Sequence, residues 1–154
     1  MPFTMIQQDI VRMNTDAIVN AANIGLKMGG GVCGAIFRAA GAQQLQAECD
    51  KMAPVRTGGA VITPGFQLPA KFVIHAVGPI YADWTPEESE HFLREAYTNA
   101  LKLAIEHQCE SIAFPLISSG IYGYPKDEAL QVAKSAIQDF LTEHDLQVFL
   151  VLFG

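Results

Sequence analysis

The run "QVFLVLF", Gln147 to Phe153, is apolar on both faces of an extended strand, and "SIAFPLI", Ser111 to Ile117, reads as a buried strand of the same kind. A sheet with one wet face alternates polar and apolar residues, so strands without that alternation need helices packed above and below them. The rest of the chain supplies such helices. "GVCGAIFRAAG" sets Val32, Ala35, Ile36, Ala39 and Ala40 at helical spacing and ends on Gly41, where a left-handed cap fits. "AQQLQAECDKM" predicts a second short helix stopped by Pro54. In "TPEESEHFLREAYTNALKLAIEHQ" Thr85 is the expected N-cap, with Pro86 at the first helical position and Glu88 completing a capping box. Phe92, Ala96, Ala100 and Leu103 are its expected buried face. "KDEALQVAKSAIQDFLTEH" predicts another amphipathic helix. "FTMIQQD" and "DAIVNAA" predict strands joined by a polar turn near Asn14 and Thr15, and "TGGAVITPGF" and "AKFVIHAVGPIY" predict two more. Strands and helices alternate along most of the chain, which predicts an α/β fold with a mixed sheet between two helix layers.

At 154 residues the expectation is one domain spanning residues 1–154, large enough to bury a core without disulfides. No apolar run approaches the ~20 residues of a membrane helix, and "MPFTMIQQDIVRMN" lacks the basic and apolar regions of a signal peptide. No membrane partner is expected. The net charge of −6 disfavours nucleic acid, whose non-specific binding needs a basic face. It does not disfavour a small phosphate-containing molecule, because backbone N–H groups and helix N-termini hold phosphates without lysine. Cys33, Cys49 and Cys109 are few, odd in number and free of CxxC spacing, which reads as reduced thiols of a cytoplasmic protein. His75, His91, His107 and His144 show no metal-ligand spacing, so neither a metal nor a cofactor is expected. With no large amphipathic excess, a monomer is expected.

Two loops carry the chemistry. In "NAANIGLKMGGGVCGAIFRAAG", Asn20 to Gly41, a strand is followed by asparagines, three glycines and a helix. Glycine lets backbone approach a ligand, and the helix presents free N–H groups and the positive end of its dipole. The pattern is neither a P-loop nor a dinucleotide fingerprint, and tight packing of a glycine turn is the competing explanation. "PLISSGIYGYPKDEA" repeats the layout after a second buried strand. Ser118, Ser119, Gly120 and Ile121 could offer backbone N–H groups to a pyrophosphate, and Tyr122 could cover a ribose. Ordinary packing equally explains Tyr122 and Tyr124. Two such loops at strand carboxyl ends would flank a ligand crevice. Asp9 ends a strand and could accept a hydrogen bond from an exocyclic amine, whereas a cap or turn role fits Asp16 better.

Taken together, "QDIVRMNTDAIVNAAN", "GGGVCGAIFRAAG", "FVIHAVGP" and "SIAFPLISSGIYGYP" resemble the macrodomain family, which binds ADP-ribose. The resemblance runs from about residue 5 to 127. It implies a three-layer α/β/α sandwich with one cleft for ADP-ribose or a mono-ADP-ribosylated protein. It implies that Asp9 contacts the adenine amine beside the Ile10 backbone, and that Asn23 holds the distal ribose hydroxyls. Gly29, Gly30, Gly31 and Val32, with Cys33 beside them, fall in the first phosphate and ribose loop. Ser118, Ser119, Gly120, Ile121 and Tyr122 fall in the second. Phe153 is the candidate adenine-stacking ring, and His75 reads as a structural strand histidine.

Hydrolases of the MacroD type within that family carry "GGGVDG", with aspartate at the position of Cys33 and often histidine at that of Phe37. A carboxylate that orients water contributes about 10²–10⁴-fold, and a thiol is a poor substitute. A small, semi-apolar filler is the preferred reading of Cys33. Viral macrodomains, which the chain also resembles, read "NAAN" and then "HGGGVAG". They lack that aspartate too, and Met28 stands where they carry histidine. The resemblance to them implies de-ADP-ribosylation resting on the asparagine, the glycine loop and a water held by the ligand's own phosphate. Two readings stay open. One is a hydrolase that removes mono-ADP-ribose from acidic side chains or cleaves O-acetyl-ADP-ribose, with Asn23 as its catalytic residue. The other is a reader that binds ADP-ribose without turnover.

Overall fold

The computed structural model describes residues 2–152. In chain order the elements are β1 (Phe3–Gln7), a 3-10 turn (Ile10–Arg12), β2 (Ala17–Ala22), α1 (Gly31–Ala40) and α2 (Ala42–Asp50). They continue with β3 (Ala60–Pro64), β4 (Phe72–Val77), a second 3-10 turn (Tyr81–Asp83), α3 (Pro86–Glu106), β5 (Ser111–Phe114), α4 (Lys126–Leu141) and β6 (Gln147–Leu152). The strands form one six-stranded sheet in the order β1-β6-β5-β2-β4-β3. Every neighbouring pair is parallel except β3 with β4, so the sheet is mixed, as its sequence predicts.

Side chains leave the sheet alternately, and each face has its own core. Ala17 and Val19 of β2 with Ile74 and Ala76 of β4 pack under α3 and α4. Ile18 and Ala22 with Val73 and Val77 pack under α1 and α2. The chain therefore leaves β2 toward one face and β5 toward the other. Between two neighbouring parallel strands, that divergence opens a crevice at the carboxyl ends. The β2–β5 ladder includes only Ala17–Ile112 and Ile18–Ala113, whereas β2 stays paired with β4 as far as Ala22. β2 thus reaches its loop unzipped from β5.

Local chemistry fixes the ends of these elements. Thr85 accepts a hydrogen bond from the Glu88 N–H at 3.1 Å while Glu88 accepts one from the Thr85 N–H at 3.0 Å, the reciprocal capping box. Gly41 closes α1 at φ 111°, its N–H donating to Phe37 O. β5 stops at Phe114, three residues short of the predicted run, because Pro115 has no N–H for a ladder. The buried face of α3 is wider than predicted and turned from it. Leu93, Tyr97, Leu101 and Ala104 join Ala96 and Ala100 in the core, while Phe92 and Leu103 are only partly covered. Among the described residues no helix is long and apolar enough to cross a membrane.

Candidate functional site

The first loop leaves β2 at Asn23. The Asn23 side chain folds over its own loop, with Oδ1 accepting from the Lys27 N–H at 2.9 Å and Nδ2 donating to Lys27 O at 2.8 Å. An amide side chain has two donors and two acceptor lone pairs, so one of each remains for a ligand. Helix α2 braces the same loop. Gln46 accepts from the Met28 N–H and donates to Leu26 O, both at 2.9 Å, and Asp50 holds the Lys27 ammonium at 2.9 Å. Lys27, then Gln46, hold the exposed Asp50 carboxyl below its usual pKa. Sequence reading missed Gln46 and Asp50, because polar residues on a short helix look like a solvated face.

The glycines then enter α1. A Cβ on Gly29, Gly30 or Gly31 would meet nothing within 4 Å. Gly31 has φ 56°, but Gly30 is extended at φ −90° and ψ −170°, a conformation any residue adopts. Neither crowding nor backbone geometry explains glycine at Gly29 or Gly30. Gly34 differs: a Cβ there would sit 2.5 Å from Gly29 O, so its absence lets the loop lie on the helix. The N-cap makes no side-chain hydrogen bond. Among the described residues no acceptor meets the N–H groups of Gly29 to Cys33. The result is a set of free donors at the positive end of α1.

The second loop is pinned from below. Tyr97 of α3 accepts from the Ile117 N–H at 3.0 Å and donates to Pro115 O at 3.2 Å. Burial holds its phenol far above the ordinary range, so it stays protonated. Ser118, at φ 67°, turns its hydroxyl inward onto Pro79 O at 2.8 Å, and a side chain on Gly78 would collide with it. Ser119 gives both its hydroxyl and its N–H to Leu116 O. This corrects the expectation for Ser119, whose donors are used inside the loop, and shows the Ser118 side chain to be an anchor. Gly120, Ile121 and Tyr122 carry N–H groups that meet no acceptor among the described residues, and a Cβ on Gly120 would meet nothing within 4 Å. The Ile121 side chain is wholly exposed. Burial, then the Cys33 side chain of the first loop, pushes the Tyr122 phenol up.

Asp9 follows β1, three strand positions from β2, about 14 Å at ordinary strand spacing. Its Oδ1 accepts from the Val11 N–H at 3.2 Å, capping the 3-10 turn. Oδ2 makes no hydrogen bond within the described chain. The cap role expected of Asp16 thus belongs to Asp9. Asp16 instead ties two loops at the amino ends of the interior strands, accepting from the Glu110 N–H at 2.7 Å and facing Lys71 at 3.7 Å. Ile10 is buried below Asp9, and Val32 is half-buried in α1. Phe153 lies outside the described residues.

Cys33 is buried, its Sγ 3.7 Å from Lys27 O, a weak donor packed against the loop. Phe37 is buried in the same core with its ring edge toward His75. His75 is fully buried, and desolvation lowers its pKa to about 4. The neutral ring accepts from Asn20 Nδ2 at Nδ1 and donates from Nε2 to Thr63 Oγ1, each at 3.0 Å, a tautomer assigned from these partners. Cys49 lies 3.7 Å from Nε2 with its thiol pushed up to about 12 by burial. Both are structural groups.

Chemistry rather than size marks the crevice. Two grooves elsewhere, of about 250 and 460 Å³, are lined by no residue of the first loop and by none from Ser118 to Gly123 of the second. Among the described residues no cluster of His, Cys, Asp and Glu is arranged to hold a metal ion.

A mixed, mostly parallel sheet with a switch point between β2 and β5 and two donor-lined loops define an α/β protein with a crevice suited to a phosphate-bearing ligand. The macro domain family model matches residues 19–133, and the chain belongs to that family. Among its relatives is the O-acetyl-ADP-ribose deacetylase of Salmonella typhimurium, 48% identical over 97% of this chain and 86% of the relative. The Oceanobacillus iheyensis macrodomain with ADP superposes with a TM-score of 0.91 at 46% identity, covering 97% of this chain and 83% of that one. The Trypanosoma brucei macrodomain in complex with ADP-ribose gives 0.89 at 36% identity, covering 99% and 64%.

Proposed function

We propose that this protein binds ADP-ribose along the crevice and hydrolyses a bond at the distal ribose. Its substrate is the acetyl ester of O-acetyl-ADP-ribose or mono-ADP-ribose on an acidic side chain. One observation carries this reading: Gly29, Gly30 and Gly120 lack a side chain where nothing in the protein would obstruct one, beside N–H groups without acceptors. Such positions need glycine only when something outside the chain comes close. A relative named for deacetylating O-acetyl-ADP-ribose, and neighbours holding ADP and ADP-ribose, support the ligand class and the reaction.

In this reading Asp9 Oδ2 accepts from the adenine amine, and the two sets of free N–H groups hold the pyrophosphate. Asn23, fixed by Lys27, uses its remaining donor and acceptor on the distal ribose. Water then attacks the acetyl carbonyl, releasing acetate, or ribose C1″, releasing the carboxylate. No carboxylate in the first loop takes the water's proton, so the ligand's own phosphate orients it. Catalysis rests on proximity and on fixed donors.

A reader without turnover is the second reading. Cys33 bonded to a carbonyl and Phe37 buried in the core favour it. The deciding assay follows release of ADP-ribose from a protein mono-ADP-ribosylated on glutamate, and of acetate from O-acetyl-ADP-ribose, for wild type and Asn23→Ala. Release by wild type that is lost in the variant is expected. ADP-ribose binding with no release by wild type would establish the reader.

A further inference from the structure

On the α3 and α4 side of the second loop lies a groove of about 250 Å³. Tyr81 and Tyr124 line it with rings edge to face, 4.8 Å between centroids. Glu87 and Glu90 of α3 and Glu128 of α4 stand around them. None of these three carboxylates pairs with a cation among the described residues, and no lysine or arginine lines the groove. Carboxylates in a helix's first turn are common complements of its dipole, which accounts for Glu87 and Glu128. It does not account for Glu90, which lies beyond the first turn of α3.

Tyr124 is an independent sign of a ligand. It is only 5% exposed, with its ring in the core under α3 and α4. Its hydroxyl meets no partner among the described residues and is not sealed from solvent, so it opens into the groove that Tyr124 lines. Burial, then Glu90 and Glu128, raise the phenol to about 12, which keeps it neutral beside the carboxylates. Tyrosine rings, a free hydroxyl and unpaired carboxylates together recognise an organic cation. A bare metal ion does not fit, because no metal-holding cluster forms among the described residues.

The groove and the crevice share one loop. The Tyr81 N–H donates to Tyr122 O at 2.9 Å, and the Tyr124 N–H to Ser118 O at 3.0 Å. Tyr124, two residues on from Tyr122, lines the groove. We propose that the groove is a subsite for an alkylammonium or guanidinium group, supplied by a lysine or arginine side chain of the ADP-ribosylated protein. The source, though not the subsite, rests on reading the crevice as the ADP-ribose site.

The test uses agmatine and two peptides mono-ADP-ribosylated on glutamate, one with flanking arginines and one with glutamines in their place. Agmatine is expected to shift the backbone amide resonances of Glu90, Tyr124 and Glu128 in wild type. The shifts should be absent in the exposed double variant Glu90→Gln/Glu128→Gln and weakened in Tyr124→Phe. The arginine peptide should bind wild type about tenfold tighter than the glutamine peptide, and the double variant equally. Free ADP-ribose should bind both proteins alike. No response to agmatine, or one that persists in the double variant, overturns the subsite. A response without any peptide preference overturns the protein-borne source and leaves a free polyamine as the occupant. Failure of free ADP-ribose to bind wild type overturns the crevice reading alone, since agmatine still decides the groove.

Discussion

Gly30 has extended backbone and open space where a side chain would stand. Gly30→Val should therefore still fold, losing about 1 kcal/mol because valine caps α1 less well than glycine, yet lose nearly all calorimetric affinity for ADP-ribose. Retained affinity would return the glycines to a purely structural role. Asp9→Ala should weaken ADP-ribose binding by about 1–3 kcal/mol, the cost of an unpaired buried amine. Because Asp9 also caps the 3-10 turn, this variant should lose about 1 kcal/mol of stability as well. Asp9→Asn keeps the cap, so an affinity loss that survives in it belongs to the ligand contact. Cys33→Asp puts a carboxylate at the positive end of α1 and should raise release about 10²-fold. An unchanged or lower rate would mean that the Lys27 carbonyl, now 3.7 Å from the sulfur, turns the carboxylate away from water.

Each of the two loops is held by a helix that supplies no group to the ligand. The Tyr97 hydroxyl of α3 bonds both the Ile117 N–H and Pro115 O in a fully buried setting. Tyr97→Phe strands both groups and should cost about 2–4 kcal/mol in denaturant unfolding. It should also weaken ADP-ribose binding, because the free N–H groups of Gly120 to Tyr122 depend on that anchor. Normal affinity in the folded variant would show the loop to be held by Ser118 alone. These supports explain what was legible in the sequence and what was not. The capping box of α3 and the glycine end of α1 are local signals, complete within a few residues. The brace of Gln46 and Asp50 joins residues 18 and 23 positions apart, so no local pattern announces it. The buried face of α3 depends on how α4 packs against it, and its sequence has apolar residues enough for two faces. The 3-10 turn after Asp9 is too short to show a period. At the site, both loops were legible because glycine and serine after a buried strand are conspicuous, but which N–H groups stay free depends on carbonyls such as Leu116 O.

For the molecule as a whole, acid is the revealing variable. His75 sits under α1 and α2 with its pKa lowered from 6.5 to about 4 by burial. Below 6.5 the unfolded chain takes up a proton that the folded chain refuses until about pH 4. The stability linked to His75 is thus complete at pH 7 and is lost as pH falls from 6.5 to about 4, a loss of about 3 kcal/mol. Urea unfolding at pH 7 and pH 4.5 should show this drop in wild type and a smaller one in His75→Gln. Equal slopes in the two proteins would assign the acid sensitivity to the carboxylates.

The open setting of Gly29 and Gly30 also shapes how this chain can change over generations. A core residue is under selection for folding whether or not the protein is used. A side chain added at either glycine would touch no other part of the molecule, so selection against one acts chiefly through what the crevice holds. A lineage that stopped using its ligand could let them drift without unfolding, and one that kept its ligand could not.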